Sequence, residues 1–400
     1  MRQSLARADP AGENRHGVRS HLRNLESNQK KSDMRLKSFL MLFLIALIHG
    51  SCSAQSWLAI WKSYSAAFMD NQVRVIDHDA NNRTTSEGQA YGMFFALVAN
   101  DRSRFDGLLH WTETNLSQGD LARHLPAWLW GQNKNNQWGV LDANSASDAD
   151  LWMAYTLLEA GKAWNEPRYT RIGSALAHRI ATEEVVEVPN LGTMLAPGPS
   201  GFEHGGTYRL NASYVPLQLV LRLSHLAPDG PWKQVAQSVP ALVTASSPHG
   251  FASDWIEFGA QPAPTIGSYD AIRVYLWAGM LDAATPHRDQ LMKSLDGMEN
   301  YLKTSQTPPE KVNPDGTVVD AKGPVGFSAA LLPYALALGA NQIRDQQMAR
   351  VSADLKPQTG LFGAPAKYYD QNLALFGLGF MQRQFWFDAE GALKLSWKRN

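Results

Sequence analysis

The stretch SDADLWMAYTLLEAGKAWNEPRYTRIGSALAHRIATEEV, residues 147–185, decides the fold. Its first part, 147–164, is rich in Ala, Leu, Trp and Tyr, whereas its second part, 168–185, carries more Arg and Glu. Both parts have helical periodicity, and the Asn-Glu-Pro sequence between them is typical of a turn. An almost uniformly apolar helix is buried on all sides, whereas a helix with one polar face is exposed on that face. The stretch therefore predicts a helical hairpin with one inner and one outer helix.

The same alternation continues along the chain, with Pro, Gly and Asn clusters between helical segments. The predicted inner helices are 87–100, 147–164, 212–225, 268–284, 325–339 and 369–384. The predicted outer helices are 103–116, 168–185, 230–246, 287–304 and 342–354, with further helices at 57–69 and 122–131. Strand patterns are confined to 137–141, 185–196 and 387–396. We expect an all-α fold, an (α/α)6 barrel of six helical hairpins with minor β elements in loops, rather than a solenoid, because no sequence period repeats.

The first 54 residues are predicted to lie outside this domain. Residues 34–54 have a positively charged start, ten consecutive apolar residues at 39–48 and a small-residue end, the pattern of a signal peptide cleaved after Ala54. The apolar run is too short to span a bilayer, and a buried core segment is the alternative. Residues 1–33 are polar and Arg-rich, and we interpret them as a non-native upstream extension, with a disordered leader as the alternative. Residues 55–400 are expected to form a single domain in the periplasm or outside the cell.

The composition excludes several classes of function. Residues 55–400 carry 28 basic and 33 acidic residues, so a basic surface for nucleic acid is not expected. The only cysteine, Cys52, precedes the expected cleavage site, so neither a disulfide nor thiol catalysis is expected, and its surroundings support a lipid anchor only weakly. The sequence has no zinc-binding His-Glu-x-x-His, phosphate-binding Gly loop or nucleophile elbow. We expect a monomer without metal, cofactor or stable membrane insertion.

Acidic residues stand at the starts of three predicted inner helices. They are Glu87, the Asp148 and Asp150 pair, and Asp270. Because the inner helices of such a barrel begin at one common face, these side chains are expected to converge there. An acid at a helix start can also be a simple capping residue, an interaction worth about 0.3–1 kcal/mol. Three acids before three apolar helices with a common mouth indicate a functional site.

Glu87 is followed by Gly88 and Ala90, whose small side chains leave room beside the carboxyl group. Burial against the apolar helix would raise the pKa of Glu87, as a general acid at neutral pH requires. The N-terminus of the helix would lower that pKa, because it favours the ionised form. The sequence leaves the balance of these two effects open.

The other acids differ in their neighbours. Asp148 and Asp150 are two residues apart and so point in different directions on a helix, and we assign Asp148 to the site and Asp150 to a structural role. Arg273 lies within helical reach of Asp270, where it would keep a base ionised, although an ordinary surface ion pair is the alternative. A calcium loop at 142–146 is rejected because it lacks the required ligand and Gly positions.

These motifs resemble glycoside hydrolase family 8. Residues 146–154, continuing to Ala160 and Trp164, are similar to the family signature, with Thr156 where Ser or Ala is usual. Residues 86–92 resemble its acid-bearing motif and 268–273 its base-bearing motif. The sequence Asn211-Ala-Ser-Tyr214 is similar to a further element that usually has Pro at the position of Ala212. The resemblance covers nearly all of residues 55–400, and it implies an (α/α)6 barrel, inversion at the anomeric carbon and no metal.

The resemblance also implies roles for the acids. Glu87 matches the proton donor, Asp270 the base that deprotonates water, and Asp148 an acid that grips and distorts the sugar at the cleavage point. Inversion requires carboxyl groups about 6.5–9.5 Å apart, with room for water. The Trp138–Asp142 and Tyr269–Trp277 blocks are most similar to the subgroup associated with bacterial cellulose synthase. This similarity implies a β-1,4-glucan (cellulose) chain as substrate and a functional association with the synthase complex.

Aromatic and charged residues near the expected mouth are candidates for substrate contacts. They are Tyr91, Trp128, Trp130, Trp138, Tyr214, Tyr269, Arg273 and Tyr369. Aromatic rings suit the apolar faces of sugars, but for each Trp a place in the core is an equal alternative. Two competing functions remain open: a hydrolase of the same fold acting on chitosan, xylan or mixed-linkage glucan, and a non-catalytic glucan-binding partner of cellulose synthase.

Overall fold

The computed structural model describes residues 55–398, so the predicted extension and signal peptide lie outside the described residues. Thirteen α-helices contain most of the residues in regular secondary structure in this part of the chain. In chain order they are α1 (Trp57–Phe68), α2 (Ser86–Val98), α3 (Arg102–Leu116), α4 (Ser147–Trp164), α5 (Pro167–Glu183), α6 (Leu217–Leu226), α7 (Trp232–Ala245), α8 (Ala271–Gly279), α9 (Arg288–Ser294), α10 (Asp296–Leu302), α11 (Val325–Ala337), α12 (Asn341–Asp354) and α13 (Tyr368–Met381). None of these helices is both long and apolar enough to cross a membrane.

The inner ring consists of α2, α4, α6, α8, α11 and α13, each packed against the next. The ring closes where Phe94 of α2 stacks on Phe376 of α13, with ring centroids 5.4 Å apart. Each inner helix also packs against an outer helix: α3, α5, α7, α9 and α12 follow their inner partners, and α1 packs on α13. The predicted (α/α)6 barrel is confirmed, and the opening helix provides the sixth outer position.

Aromatic side chains from four inner helices fill the centre of the barrel. Phe94 lies 4.9 Å from Trp152, Trp152 lies 5.2 Å from Trp277, and Trp277 lies 5.1 Å from Phe376, all between ring centroids. These edge and tilted contacts are the preferred geometries of aromatic pairs. Six tryptophans are buried, namely Trp57, Trp61, Trp111, Trp152, Trp232 and Trp277. Much of the high aromatic content therefore serves the core rather than sugar binding.

The helix predicted over 122–131 is wrong. Pro126 lies in the middle of this apolar run, where proline disfavours a helix because it removes a hydrogen bond and its ring clashes with the preceding turn. The chain instead forms a short turn and then a strand over Leu129–Gln132. Its partner is the strand Trp138–Asp142, which agrees with the strand predicted at 137–141.

Two other predicted helices are interrupted. The segment 212–225 begins with a 3-10 turn, Ala212–Tyr214, because Pro216 disfavours a helical conformation at the residue before it. The segment 287–304 divides at Leu295, whose carbonyl accepts a hydrogen bond from the Tyr334 hydroxyl at 2.8 Å. At the start of α2, Ser86 follows the polar loop and is the N-cap that the sequence favours, but the extended Thr85 accepts the Gly88 N–H instead and Ser86 is already helical.

All strand pairs in residues 55–398 are antiparallel and short. They are β1 (Thr84–Thr85), β2 (Leu129–Gln132), β3 (Trp138–Asp142), β4 (Val185–Val188), β5 (Gly192–Leu195), β6 (Glu203–His204), β7 (Thr207–Leu210), β8 (Ile256–Phe258), β9 (Pro262–Pro264), β10 (Lys311–Val312), β11 (Val318–Asp320), β12 (Leu355–Lys356), β13 (Leu361–Phe362), β14 (Phe385–Phe387) and β15 (Leu393–Leu395). The strand patterns predicted at 185–196 and 387–396 agree with the structure, where β4 pairs with β5 and β14 pairs with β15. The sheet β6-β7-β8-β9 was not predicted, because two helices separate β7 from β8 and no local pattern joins them.

Except for β14 and β15, the strands lie in connections that lead into the N-termini of inner helices. The hairpin β2–β3 leads into α4, β4 to β7 lead into α6, and β8 and β9 lead into α8. The loops therefore build up the walls at the end of the barrel where the inner helices begin.

Candidate active site

An open cleft of about 880 Å³ lies where the inner helices begin. The three predicted acids line it together: Glu87 from the first turn of α2, Asp148 from the first turn of α4, and Asp270 immediately before α8. These residues are separated by up to 183 positions in the sequence and meet because their helices start at one face. The predicted convergence of the acids is therefore observed.

Arg273 lies at the centre of this group, and its side chain is only 3% exposed. Its Nη2 donates to Asp270 Oδ1 at 2.5 Å, and its Nη1 donates to Asp148 Oδ2 at 3.1 Å. The same Nη1 donates to Glu87 Oε2. Arg273 was expected to pair with Asp270 alone, but its planar fork of donors connects all three carboxyl groups.

The three carboxyl groups differ in their access to the cleft. The side chains of Glu87 and Asp270 are 21% and 27% exposed, whereas that of Asp148 is 4% exposed. Asp148 Oδ1 also accepts the Ala149 N–H at 2.8 Å, and this backbone bond fixes the orientation of the carboxyl group. Glu87 and Asp270 can meet a substrate and water from the open side, whereas Asp148 forms part of the floor.

Burial raises the pKa of Glu87 to about 7. Arg273 opposes this shift, whereas the nearby Asp148 and Asp270 reinforce it, because like charges disfavour ionisation. The arginine bond occupies Oε2, which leaves Oε1 to carry a proton. Burial also raises the pKa of Asp148, again opposed by Arg273. The balance that the sequence left open therefore favours the protonated form of Glu87, as a general acid requires.

The room predicted beside Glu87 is occupied by Tyr368. A Cβ atom added to Gly88 would lie 2.6 Å from the Tyr368 hydroxyl oxygen, closer than any normal contact. Tyr368 is buried at the start of α13 and also lines the cleft. Glycine at position 88 thus lets a tyrosine approach the helix that carries the acid.

The loop with Asp270 is held by Asp254, a residue that the sequence pattern did not reveal. Asp254 Oδ1 accepts the backbone N–H groups of Ser268 at 2.7 Å, Asp270 at 3.1 Å and Ala271 at 2.8 Å. These groups include free donors at the start of α8, which a cap must satisfy. The capping residue lies 14 to 17 residues before its partners, so no local capping pattern could identify it.

The predicted tyrosines occupy different positions. Tyr214 and Tyr369 line the cleft, and the Arg273 guanidinium lies 5.6 Å from the Tyr214 ring. Tyr269 is 40% exposed, and its backbone carbonyl accepts the Tyr369 hydroxyl at 2.5 Å. Tyr91 is only 2% exposed and lies beneath the cleft, where its hydroxyl accepts a hydrogen bond from Arg273 at 3.1 Å. Tyr91 therefore does not line the open cleft, and its hydroxyl contacts Arg273 instead.

The predicted tryptophans lie on the hairpin side of the cleft. Trp128 lines the cleft, and its carbonyl accepts the Ser86 N–H at 3.0 Å, beside Glu87. Trp130 and Trp138 face each other across β2 and β3 with their rings stacked at 5.0 Å, and Trp138 is 47% exposed. The two stacked rings thus lie on the hairpin beside the cleft rather than in the core.

A second aromatic cluster lies on the β6–β9 side of the cleft and was not predicted. Trp255 stacks on Phe202 with ring centroids 6.2 Å apart, and its ring lies 5.7 Å from that of Tyr214. The Arg209 guanidinium covers the Trp255 ring at 4.5 Å. Both sides of the cleft therefore present aromatic surfaces, and no group of three His, Cys, Asp or Glu in residues 55–398 is arranged to hold a metal ion.

A helical barrel with one carboxyl group of raised pKa and a second, partly exposed carboxyl group in an open cleft beside aromatic side chains is typical of a glycoside hydrolase. The family model described as Glycosyl hydrolases family 8 matches residues 34–383. The chain therefore belongs to glycosyl hydrolases family 8.

Several endoglucanases are similar to this chain in sequence or in structure. The chain is 43% identical to an endoglucanase of Escherichia coli O157:H7 over 370 residues, which cover 90% of this chain and 97% of the relative. It is 44% identical to an endoglucanase of Xanthomonas axonopodis pv. citri (strain 306) over 357 residues, 86% of this chain and 92% of the relative. The crystal structure of endo-1,4-D-glucanase from Vibrio fischeri ES114 superposes with a TM-score of 0.80 at 39% identity, covering 85% of this chain and 99% of that one.

Proposed function

We propose that this protein is an endo-β-1,4-glucanase that hydrolyses cellulose with inversion of anomeric configuration. The observation that carries the proposal is the Arg273-centred group of acids, in which Glu87 holds a proton near neutral pH while Asp270 lies exposed beside it. Relatives named endoglucanase that are more than 40% identical over most of the chain support the same substrate class.

In this mechanism Glu87 donates its proton to the glycosidic oxygen as the bond from that oxygen to the anomeric carbon breaks. Asp270 accepts a proton from a water molecule, whose oxygen attacks the anomeric carbon from the opposite face. The reaction forms no covalent intermediate with the enzyme, so Asp148 is not a nucleophile. Asp148 lies in the floor beside Arg273, where it can accept hydrogen bonds from the sugar at the cleavage point.

The open cleft between two aromatic walls supports attack within a long chain rather than at its end. On one side the surface is formed by Trp128, Trp130 and Trp138, and on the other by Tyr214 and Trp255. Aromatic faces contact the apolar faces of sugar rings and tolerate many positions along the chain. Chitosan, xylan and mixed-linkage glucan remain alternative substrates of the same machinery.

We further propose that residues 34–54 direct the protein to the periplasm or outside the cell and are removed after Ala54, and that the enzyme acts as a monomer alongside bacterial cellulose synthesis. A neighbouring cellulose synthase gene would support the biological role. N-terminal sequencing of the exported protein should give Gln55 as the first residue, and an intact Met1 or Met34 on the exported protein would contradict the cleavage.

The activity is tested with purified protein and carboxymethylcellulose. A rapid fall in viscosity with little release of reducing sugar is expected, because internal cleavage shortens chains quickly. NMR of fresh products should show the anomer opposite to that of the cleaved bond, and retention would contradict the mechanism. Binding to cellulose without release of reducing sugar would favour the non-catalytic alternative, and a panel with chitosan, xylan and mixed-linkage glucan distinguishes the substrates.

A further inference from the structure

Behind Asp148 lie two more carboxyl groups, those of Asp150 and Glu184, and both are fully buried. Asp150 belongs to the first turn of α4, and Glu184 directly follows the end of α5. The Ser145 hydroxyl donates to Glu184 Oε1 at 2.6 Å. Glu184 Oε2 and both carboxyl oxygens of Asp150 accept no hydrogen bond from any N–H or O–H group of residues 55–398 in normal geometry. Buried carboxylates without partners are costly, so this arrangement calls for a proton.

No positive charge compensates the two carboxyl groups. Within residues 55–398, neither Asp150 nor Glu184 forms an ion pair with Lys, Arg or His, whereas Arg273 on α8 reaches only as far as Asp148. The charged groups that face the pair are Asp148 on α4 and Glu183 on α5, and Glu183 is itself paired with Arg179. The pair is thus surrounded by further acids.

We propose that Asp150 and Glu184 share a proton, with the Asp150 carboxyl group donating a hydrogen bond to the Glu184 carboxylate, and that the pair positions Asp148. The link joins the start of α4 to the end of α5. It is flanked by two backbone bonds, from Ser147 N–H to the Pro197 carbonyl at 3.0 Å and from Ala196 N–H to the Glu184 carbonyl at 2.8 Å. The shared proton is independent of the proposed function, and only the catalytic effect of positioning Asp148 rests on it.

The proton makes the fold sensitive to alkali. Burial raises the pKa of both Asp150 and Glu184, whereas a hydrogen bond between the two carboxyl groups raises the pKa of Asp150 further and lowers that of Glu184, which places the shared proton on Asp150. In the unfolded chain both groups are ionised above their ordinary pKa, so the folded state binds more protons. The stabilisation is complete below the ordinary pKa of Asp and Glu and is lost as the pH rises through the raised pKa of the pair, with the unfolding equilibrium shifting about tenfold per pH unit for the proton held.

Asp150→Asn with Glu184→Gln replaces both acids by neutral groups of similar size. The melting temperature of the wild type should fall between pH 6 and pH 9, and the double variant should lose most of that fall. Glu187→Gln is the control, because this acid on β4 is exposed and is not among the charged groups that face the pair, and it should keep the wild-type dependence. At pH 6 the infrared difference spectrum, wild type minus double variant, should contain the carbonyl band of a protonated carboxyl group.

Absence of that band, or an unchanged pH dependence of melting in the double variant, would overturn the shared proton. If the double variant does not fold, Asp150→Asn alone provides the same spectrum. Neither measurement needs catalysis, so both remain decisive if the wild type proves inactive on glucans.

The positioning role is tested separately by kinetics on carboxymethylcellulose at pH 6. Asp150→Ala removes the hydrogen bond and should lower kcat by about 10²-fold through misplacement of Asp148, with KM changed by less than about threefold. Asp150→Asn should restore most of the loss, because its amide can donate to Glu184. Equal kcat for the alanine variant and the wild type would refute the positioning role.

Discussion

Two buried arginines on inner helices, Arg273 and Arg222, meet acids in different ways. Arg222 of α6 forms an ion pair with Glu159 of α4, and the two side chains are 9% and 5% exposed. Arg273 of α8 is 3% exposed and contacts three carboxyl groups. The first arrangement balances one charge with one charge, whereas the second leaves an excess of negative charge.

This difference explains which of the two clusters can perform chemistry. In a one-to-one buried ion pair the two charges neutralise each other, so nothing favours a proton on the carboxylate. With three acids around one guanidinium, burial and mutual repulsion keep a proton on Glu87 near neutral pH. The excess charge around Arg273 is therefore the source of the proposed acid catalysis.

The largest expected effect is that of Glu87→Gln, which removes the proton donor from the Arg273 group. Loss of a general acid should lower kcat on carboxymethylcellulose by about 10²–10⁴-fold. The melting temperature should change little, because Gln retains the size of Glu and can still contact Arg273. More than a tenth of the wild-type kcat in this variant would contradict the assignment of Glu87.

Arg222→Met tests whether the Arg222–Glu159 ion pair has only a structural role. Breaking a buried ion pair leaves an uncompensated charge, here on Glu159, and should destabilise the fold by about 3–5 kcal/mol. The kcat of the folded enzyme at low temperature should stay near that of the wild type. Urea denaturation gives the free energy of unfolding, and a kcat loss as large as that of the Glu87 variant would mean that the two clusters are functionally coupled.

The pH dependence separates the clusters further. Because Glu87 must be protonated and burial raises its pKa to about 7, kcat/KM should fall about tenfold per pH unit above that value. Deprotonation of Glu87 removes the proton donor, so activity is lost on the alkaline side. Activity that returns when the enzyme is brought back to pH 6 shows that the loss is reversible. A flat profile of kcat/KM from pH 6 to pH 9 would contradict Glu87 as the acid.

The smallest expected effect concerns a third arginine, Arg74, whose guanidinium lies 4.9 Å from the Trp130 ring and 5.3 Å from the Trp138 ring. This arginine lies against two stacked aromatic rings, whereas Arg273 lies among carboxyl groups. Trp138→Ala should weaken glucan binding by about 0.5–1.5 kcal/mol, seen as a several-fold rise in KM at similar kcat. Val140→Ala, exposed on the same strand, is the control and should leave KM unchanged. An unaltered KM for both variants would exclude the platform.

The amino-acid sequence by itself determined the ring of helices and the three acids at its mouth. Helical periodicity and apolar content are local properties, so the inner and outer segments are distinguishable from the order of residues alone. The acids of α2, α4 and α8 were found for the same reason, since each one follows directly from where its helix starts. Local alternation also correctly predicted strands at 185–196 and 387–396, although not how they pair.

Contacts between distant residues decided the rest. The bonds from Arg273 to Glu87 and Asp148, the capping of α8 by Asp254 and the pairing of β7 with β8 join parts of the chain that carry no sign of one another in sequence. Tyr91 has the same aromatic character as the tyrosines that line the cleft, and only packing placed it beneath the floor. Whether Glu87 keeps its proton depends on desolvation and on charges brought together by folding, and these quantities do not exist until the barrel closes.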